Sequence, residues 1–226
     1  MEYSTVLEGI LQKEWQMFHT VNGEQRADCQ ENQEMFFAMR RAQFSAWSQE
    51  ARQSYLEDLN AAAARGRNLV REKYIWMMET TDPAAFEKLK KELPEISAEK
   101  RRLVEELLKK FLSQTERMRR AYPELAGYGR PLHMSEEAGE TSVETYQRGE
   151  LLTYSLRTLH ALRRHLLRLE EQGIDLAYQI QENSLLCLGY SSIEEVVRQA
   201  LPPDEKRHTA GRDSGDGKGG SSYGSF

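Results

Sequence analysis

The chain has 226 residues, 39% of them hydrophobic and 30% charged, with 36 acidic against 31 basic side chains and a formal net charge of -5. That length suits one domain with at most a small appendage, and apolar residues recurring in phase argue against wholesale disorder. The acidic balance argues against a nucleic-acid partner, because phosphate binding draws on clustered Lys and Arg.

Helical periodicity runs through most of the chain and no alternating strand pattern interrupts it. The expected fold is therefore all-α: a single irregular bundle of about six to seven helices over residues 1–201, followed by a disordered Gly/Ser-rich tail over 202–226. The first helix starts at Ser4 or Thr5 and carries Leu7, Ile10, Leu11, Met17, Phe18 and Val21 on one face, with Asn22-Gly23 as its stop signal. A second helical region runs from near Glu31 to Met78, with a break expected near Asn60. Met35, Phe36, Met39, Ala46 and Trp47 mark its first face, and Leu59, Ala63, Val70, Tyr74 and Met77 its second. Asp82-Pro83 is an N-cap followed by proline at the first helical position, and Pro94 ends that short helix.

Ser97 caps a long helix to about Arg120, on which Glu105 with Lys109 and Glu106 with Lys110 form pairs four residues apart. Basic runs such as Arg101-Arg102, Lys109-Lys110 and Arg163-Arg164 are interleaved with acids and read as solvated helix faces. Residues 122–140 form one long irregular connection, of the kind that tends to be functional or mobile. Thr141-x-x-Glu144 reads as a capping box opening a helix to about Glu171, with Leu152, Leu156, Leu159, Leu162, Leu166 and Leu169 as its apolar side. Two short helices close the domain, one around 174–188 and one after the capping box Ser192-x-x-Glu195.

Three polar groups fall inside apolar stripes when residues are placed at roughly 100° per step around each helix axis. They are Glu14 among Ile10, Leu11, Met17 and Phe18; Gln43 among Phe36, Met39, Ala46 and Trp47; and Lys73 beside Gly66, Val70 and Met77. A buried carboxylate or ammonium needs a partner. One reading is structural: a Glu14–Lys73 ion pair, or one interhelical network with Gln43, that fixes helix register. The other is a polar pocket in which Glu14 and Lys73 are catalytic and Gln43 binds substrate.

The connection VNGEQRADCQ, 21–30, would lie at one end of the bundle, where Asn22, Arg26, Asp28 and Gln30 would form a substrate-binding rim. In the plainer alternative Asp28 caps the second helix and Arg26 is solvated. Cys29 as a nucleophile would need a paired base, and no His is placed to serve it. Tyr146, Glu150, Tyr154 and Arg157 fall on one side of the later helix, opposite its leucines. Tyrosines favour half-buried positions. Either this face packs on the 122–140 connection, or Tyr146, Glu150 and Tyr154 wall the same pocket.

Metal and redox chemistry find little support. The one E-x-x-H, Glu205 to His208, lies in the tail, and the five histidines form no ligand-spaced pair, so a di-iron site is rejected while an all-carboxylate magnesium site stays open. Cys29 and Cys187 belong to no metal or redox motif. MEYSTVLEGILQKEW lacks a signal-peptide core and no apolar run approaches a membrane span, so a cytoplasmic protein without a membrane partner is expected.

The blocks E-W-x-M-F-x-x-V-N at 14–22, R-A-D-C-Q at 26–30, M-R-x-x-Q-x-x-x-W at 39–47, S-Y-L-E-D-L at 54–59, G-R-N-L-V-x-E-K-Y at 66–74 and T-S-V-E-T-Y-x-x-G-E-L-L-T-Y-S at 141–155 resemble an uncharacterised bacterial family catalogued only as a domain of unknown function. The resemblance covers about residues 5–195. It implies no established activity and hence no catalytic assignment. Its relatives beside nucleotidyltransferase-like domains imply a non-catalytic helical interaction domain as the alternative role. The leading expectation is a cytoplasmic small-molecule-binding protein, an enzyme of unassigned reaction, with no cofactor specified by any motif. An interaction domain should expose an apolar patch; a binding protein or enzyme should open a polar pocket.

Overall fold

The computed structural model describes residues 2–21, 32–126, 130–134 and 141–200. Every regular element among them is helical: α1 (Glu2–His19), α2 (Gln33–Ser45), α3 (Gln49–Ala64), α4 (Leu69–Thr81), α5 (Pro83–Leu89), a 3₁₀ turn (Lys90–Glu92), α6 (Ala98–Ala121), α7 (Pro123–Ala126), α8 (Val143–Thr153), α9 (Leu156–Glu171), α10 (Leu176–Cys187) and α11 (Ile193–Ala200). The all-α class is as expected, but six or seven helices undercounts them. No described helix is long and apolar enough to cross a membrane. The tail from 202 lies outside the described residues.

The extra helices come from caps. Asn32, Ser48, Asn68, Asp82, Ser97, Ser142 and Ser155 each accept a hydrogen bond from the backbone N–H three residues on, satisfying a donor that the first helical turn leaves without a partner. The region 31–78 therefore breaks at Ser48 and again at Gly66-Asn68, not at Asn60, which stays helical with its side chain in solvent. Gly66 ends α3 with φ of 66°, a conformation that costs glycine little. Asn32, not Asp28, caps α2. Ser142, not Thr141, caps α8, and Glu144 turns to His133 and Arg148 instead of closing a box. α1 begins at Glu2, earlier than Ser4, and α5 gives way to the 3₁₀ turn before Pro94 is reached.

The expected helix 141–171 is two helices. Its leucine phase continues across the break, but Tyr154 and Ser155 leave the helix. Asp58 on α3 accepts from the Ser155 N–H at 2.9 Å and from the Thr158 hydroxyl at 2.7 Å, and the Ser54 and Thr158 hydroxyls meet at 2.8 Å. These bonds anchor the start of α9 on α3. The break sends Arg157 to an exposed pairing with Glu57, away from Tyr146 and Glu150.

The packing order follows from the apolar faces. α1 lies against α2, α3 and α4; α8 against α4 and α6; α9 against α3 and α6; α10 against α2 and α6. Ile10, Leu11, Phe44, Leu59, Leu107, Leu108, Leu151, Leu159, Leu162 and Leu166 are fully enclosed where these helices meet. Each such side chain contributes about 1.5–3 kcal/mol by leaving water. The charges expected to pair along α6 instead pair between helices: Glu105 with Arg148, Glu106 with Arg163 at 2.6 Å, and Lys110 with Glu170 at 2.8 Å. α8 and α9 flank α6, which brings those partners within reach before Lys109 or Lys110 need turn back on its own helix.

α4 and α8 approach so closely because position 149 is glycine. A Cβ there would stand 2.8 Å from Met77 Cγ and 3.0 Å from the Lys73 carbonyl oxygen. Alanine gains up to about 1 kcal/mol in helix propensity. Overpacking of about 1–3 kcal/mol acts against it, and one of the obstructing atoms is backbone. Gly149→Ala is therefore expected to lower the melting temperature by several degrees in thermal denaturation. An unchanged or raised value would show that the crossing relaxes.

Candidate functional site

Four charged side chains from four helices meet in the interior. Arg40 of α2 donates through Nε to Glu14 Oε2 at 2.5 Å and through one terminal nitrogen to Glu14 Oε1 at 2.6 Å. The same guanidinium reaches Glu150 of α8, at 2.8 Å to Oε1 and 3.3 Å to Oε2. Glu150 also accepts from Lys73 Nζ at 3.2 Å, from the Gln43 amide at 2.9 Å and from the Tyr154 hydroxyl at 2.6 Å. The Tyr55 hydroxyl donates to Glu14 Oε1 at 2.5 Å, and Arg40 donates to Gln43 Oε1 at 2.7 Å. Glu14 and Glu150 are each 2% exposed, Lys73 7% and Arg40 8%. Desolvation at that depth is tolerable only because two anions and two cations sum to zero and their donors and acceptors are matched.

The electrostatics fix the protonation states. Burial weakens Arg40's hold on its proton, but Glu14 and Glu150 outweigh it and leave the guanidinium well above its ordinary value. Burial likewise disfavours charged Lys73, yet Tyr146 and Glu150 hold the ammonium above its ordinary range. Burial disfavours charged Glu150, yet Arg40 and Lys73 hold its carboxyl well below 4.5. Burial first, then the neighbouring carboxylates, keep the Tyr55 and Tyr154 phenols protonated as donors. A lysine held as ammonium and a glutamate held as carboxylate exchange no proton near neutral pH.

Glu14, Gln43, Lys73, Glu150 and Tyr154 thus belong to one network. The expected direct Glu14–Lys73 pair does not form: Arg40 takes Glu14 and Glu150 takes Lys73, because Arg40 lies between them. Tyr146 borders the network, its ring centroid 3.7 Å from Lys73 Nζ. Asn22, Arg26, Asp28, Cys29 and Gln30 lie outside the described residues. Sequence reasoning missed Arg40 and Tyr55. The signals were a charged residue within the run from Met39 to Phe44 and a stripe of Ala51, Tyr55, Leu59 and Ala62 at helical spacing.

Beside the network lies a cleft of about 290 Å³ between α2, α6, α8 and α10, lined in part by Gln43, Trp47, Phe111, Arg119, Arg130 and Gln147. Gln43 belongs to both. Arg119 donates to the Arg130 carbonyl at 2.6 Å, and Arg130 donates to the Thr141 carbonyl at 3.2 Å while its guanidinium stands 5.4 Å from the Tyr146 centroid. No group of three His, Cys, Asp or Glu gathers among the described residues. Between Glu14 and Glu150, where a divalent cation would bridge two carboxylates, stands the Arg40 guanidinium.

The family described as a protein of unknown function (DUF4125) matches residues 4–198. The chain belongs to that family. No curated protein and no solved structure matches it. The DUF4125 match takes in Glu14 on α1 and all of α2–α10, and with them the whole of the network and the cleft.

Arg40 is the member whose loss leaves Glu14 without a cation and Glu150 with Lys73 alone. Arg40→Leu is expected to cost about 3–5 kcal/mol at neutral pH, read by denaturant unfolding. The loss should shrink as pH falls, because a buried carboxylate without a cation is relieved by protonation; a cost independent of pH would sink this account. In the native chain the sign differs. Glu150's depressed carboxyl contributes stability fully above 4.5, and that contribution disappears as pH falls below it, since the unfolded chain then binds the extra proton. Glu150→Gln should flatten the acid limb of the stability curve.

Proposed function

We propose that the chain is a cytoplasmic small-molecule-binding domain whose ligand occupies the cleft between α2, α6, α8 and α10. The observation that carries this reading is Gln43: its side chain lines the cleft, while its amide nitrogen donates to Glu150 and its oxygen accepts from Arg40. The buried network thereby serves as a rigid floor for the ligand site. A cavity of about 290 Å³ stands at the small end of the roughly 300–1,000 Å³ range of ligand pockets, and its mixture of Trp47, Phe111 and a few amides and guanidiniums is the usual lining.

Under this reading Glu14 and Lys73 position the site and do not react. Both are occupied by partners, and the ammonium of Lys73 is not available as a base. The rival role, a helical interaction domain, calls for a contiguous apolar face. Among the described residues the exposed large hydrophobics are Met134 and Leu186, which favours the cleft as the functional feature.

The test is a thermal-shift panel of metabolites, nucleotides and divalent metals on the full chain and on Gln147→Trp, which fills the cleft from α8. A ligand present at 100 times its dissociation constant adds about 2.7 kcal/mol, a shift of several degrees. The expected result is at least one compound that stabilises the native chain and leaves Gln147→Trp unmoved, with similar unliganded melting temperatures. No shift across the panel, or a shift that survives in Gln147→Trp, would remove the cleft from consideration.

A further inference from the structure

Resting on the reading of the cleft as a binding site, we infer that its ligand is a small organic oxyanion, a carboxylate or phosphate on an apolar body, with the charged end held by Arg119 and Arg130. The half-buried arginines of this chain share a pattern. Arg67, Arg148 and Arg163, half-buried like Arg119 and Arg130, each hold a glutamate, at 2.6 Å for Arg67 with Glu72 and for Arg163 with Glu106. The neighbours of Arg119 on α6 are paired too: Arg117 with Asp175 at 2.7 Å and Arg120 with Glu116 at 2.6 Å.

Arg119 and Arg130 depart from that pattern of the half-buried arginines, and share with the buried Arg52 a bond to backbone carbonyl oxygen. Among the described residues neither meets a carboxylate; each donates to a backbone carbonyl, which carries no net charge. Burial is what pushes Arg119 below its ordinary value, with no acid to offset it. Among the described residues the lining of the cleft contains these two guanidiniums and no Asp or Glu. An uncompensated cation in a partly dry site is unfavourable, and an incoming anion relieves that cost.

The donors are also there to receive it. Each guanidinium presents five N–H groups in a planar fork suited to two oxygens of a carboxylate or phosphate, and the carbonyl bonds leave most of them uncommitted. The stabilisation of cations at a helix C-terminus gives Arg119 a simpler reason to stand in the last turn of α6. That reason does not account for its bond, which goes to Arg130 and not to the carbonyls of α6, nor for Arg130, which belongs to no helix. Trp47 and Phe111 supply the apolar wall for the rest of the ligand.

The experiment titrates the full chain with benzoate, phenyl phosphate and neutral benzyl alcohol, by calorimetry and by intrinsic tryptophan fluorescence, which Trp47 should report. Both anions are expected to bind more tightly than the alcohol, and their affinity to fall as ionic strength rises. Arg119→Gln and Arg130→Gln should each weaken the anions about tenfold and leave the alcohol unchanged, because a charge-assisted bond is lost in each. Arg119→Lys, which keeps the charge, should retain part of the affinity and serves as the readout if the glutamine variant does not fold. Whichever anion binds more tightly distinguishes a carboxylate from a phosphate ligand. Equal binding of the alcohol, with both glutamine variants unaffected, overturns the oxyanion and leaves the cleft standing. Failure of all three probes to bind overturns both readings.

Discussion

One guanidinium organises the interior. Arg40 stands between two carboxylates from helices remote in sequence, Glu14 of α1 and Glu150 of α8, and binds both at hydrogen-bond distance. Either carboxylate alone would be intolerable at 2% exposure. Together with Lys73 they close a neutral set whose geometry permits one relative placement of α1, α2, α4 and α8. Replacing such a set by well-packed apolar residues is often neutral or stabilising, so its worth lies in uniqueness more than in raw stability. A bundle held by leucines alone tolerates sliding by a turn; one held by a bidentate arginine between two fixed carboxylates does not.

Much of this was legible from residue order. Glu14, Gln43 and Lys73 stood out as polar groups within apolar stripes, and the tyrosine-rich face of 141–155 led to Glu150 and Tyr154. Arg40 escaped because the hydrophobic run of α2 points attention to Met35, Phe36 and Met39, which are only half-buried. α2 is packed between α1 and α10, and its enclosed residues are Arg40, Ala42 and Phe44. A long basic side chain reads as surface until its partners are known, and these lie 26 and 110 residues away. The break before α9 escaped for the same reason. Periodicity carries through it, and the Asp58 carboxylate that fixes it is 97 residues distant. Local rules found the caps as candidates; tertiary contacts chose among them.

On the proposed reading, the network and the cleft divide the work that a ligand site requires. Groups that touch a ligand need spare hydrogen-bonding capacity, and Arg119, Arg130 and Gln147 stand on the cleft wall where that capacity is open. Groups that hold those residues in place need the reverse, every donor and acceptor engaged, which describes Glu14, Arg40, Glu150 and Tyr154. Gln43 is the hinge between the two conditions, spending one donor and its acceptor inward while its side chain forms part of the wall. Supporting shells of this kind hold site geometry to a fraction of an ångström, the tolerance that selective binding demands.

An acidic chain and the proposed anion site are no contradiction once distances are considered. The net charge of -5 is spread over the whole sequence and belongs largely to exposed carboxylates, many of them already paired with Arg or Lys. At physiological ionic strength the Debye length is about 8 Å, so exposed charges farther than that from the cleft contribute little within it. Inside, Lys73 is offset by Glu150 and Arg40 by Glu14, which leaves the two cleft arginines as the charged side chains of the lining among the described residues. Composition argues against a broad basic surface for a polyanion to lie on. It is silent on a small anion, because two guanidiniums that meet no carboxylate among the described residues change the total by less than the remainder of the chain conceals.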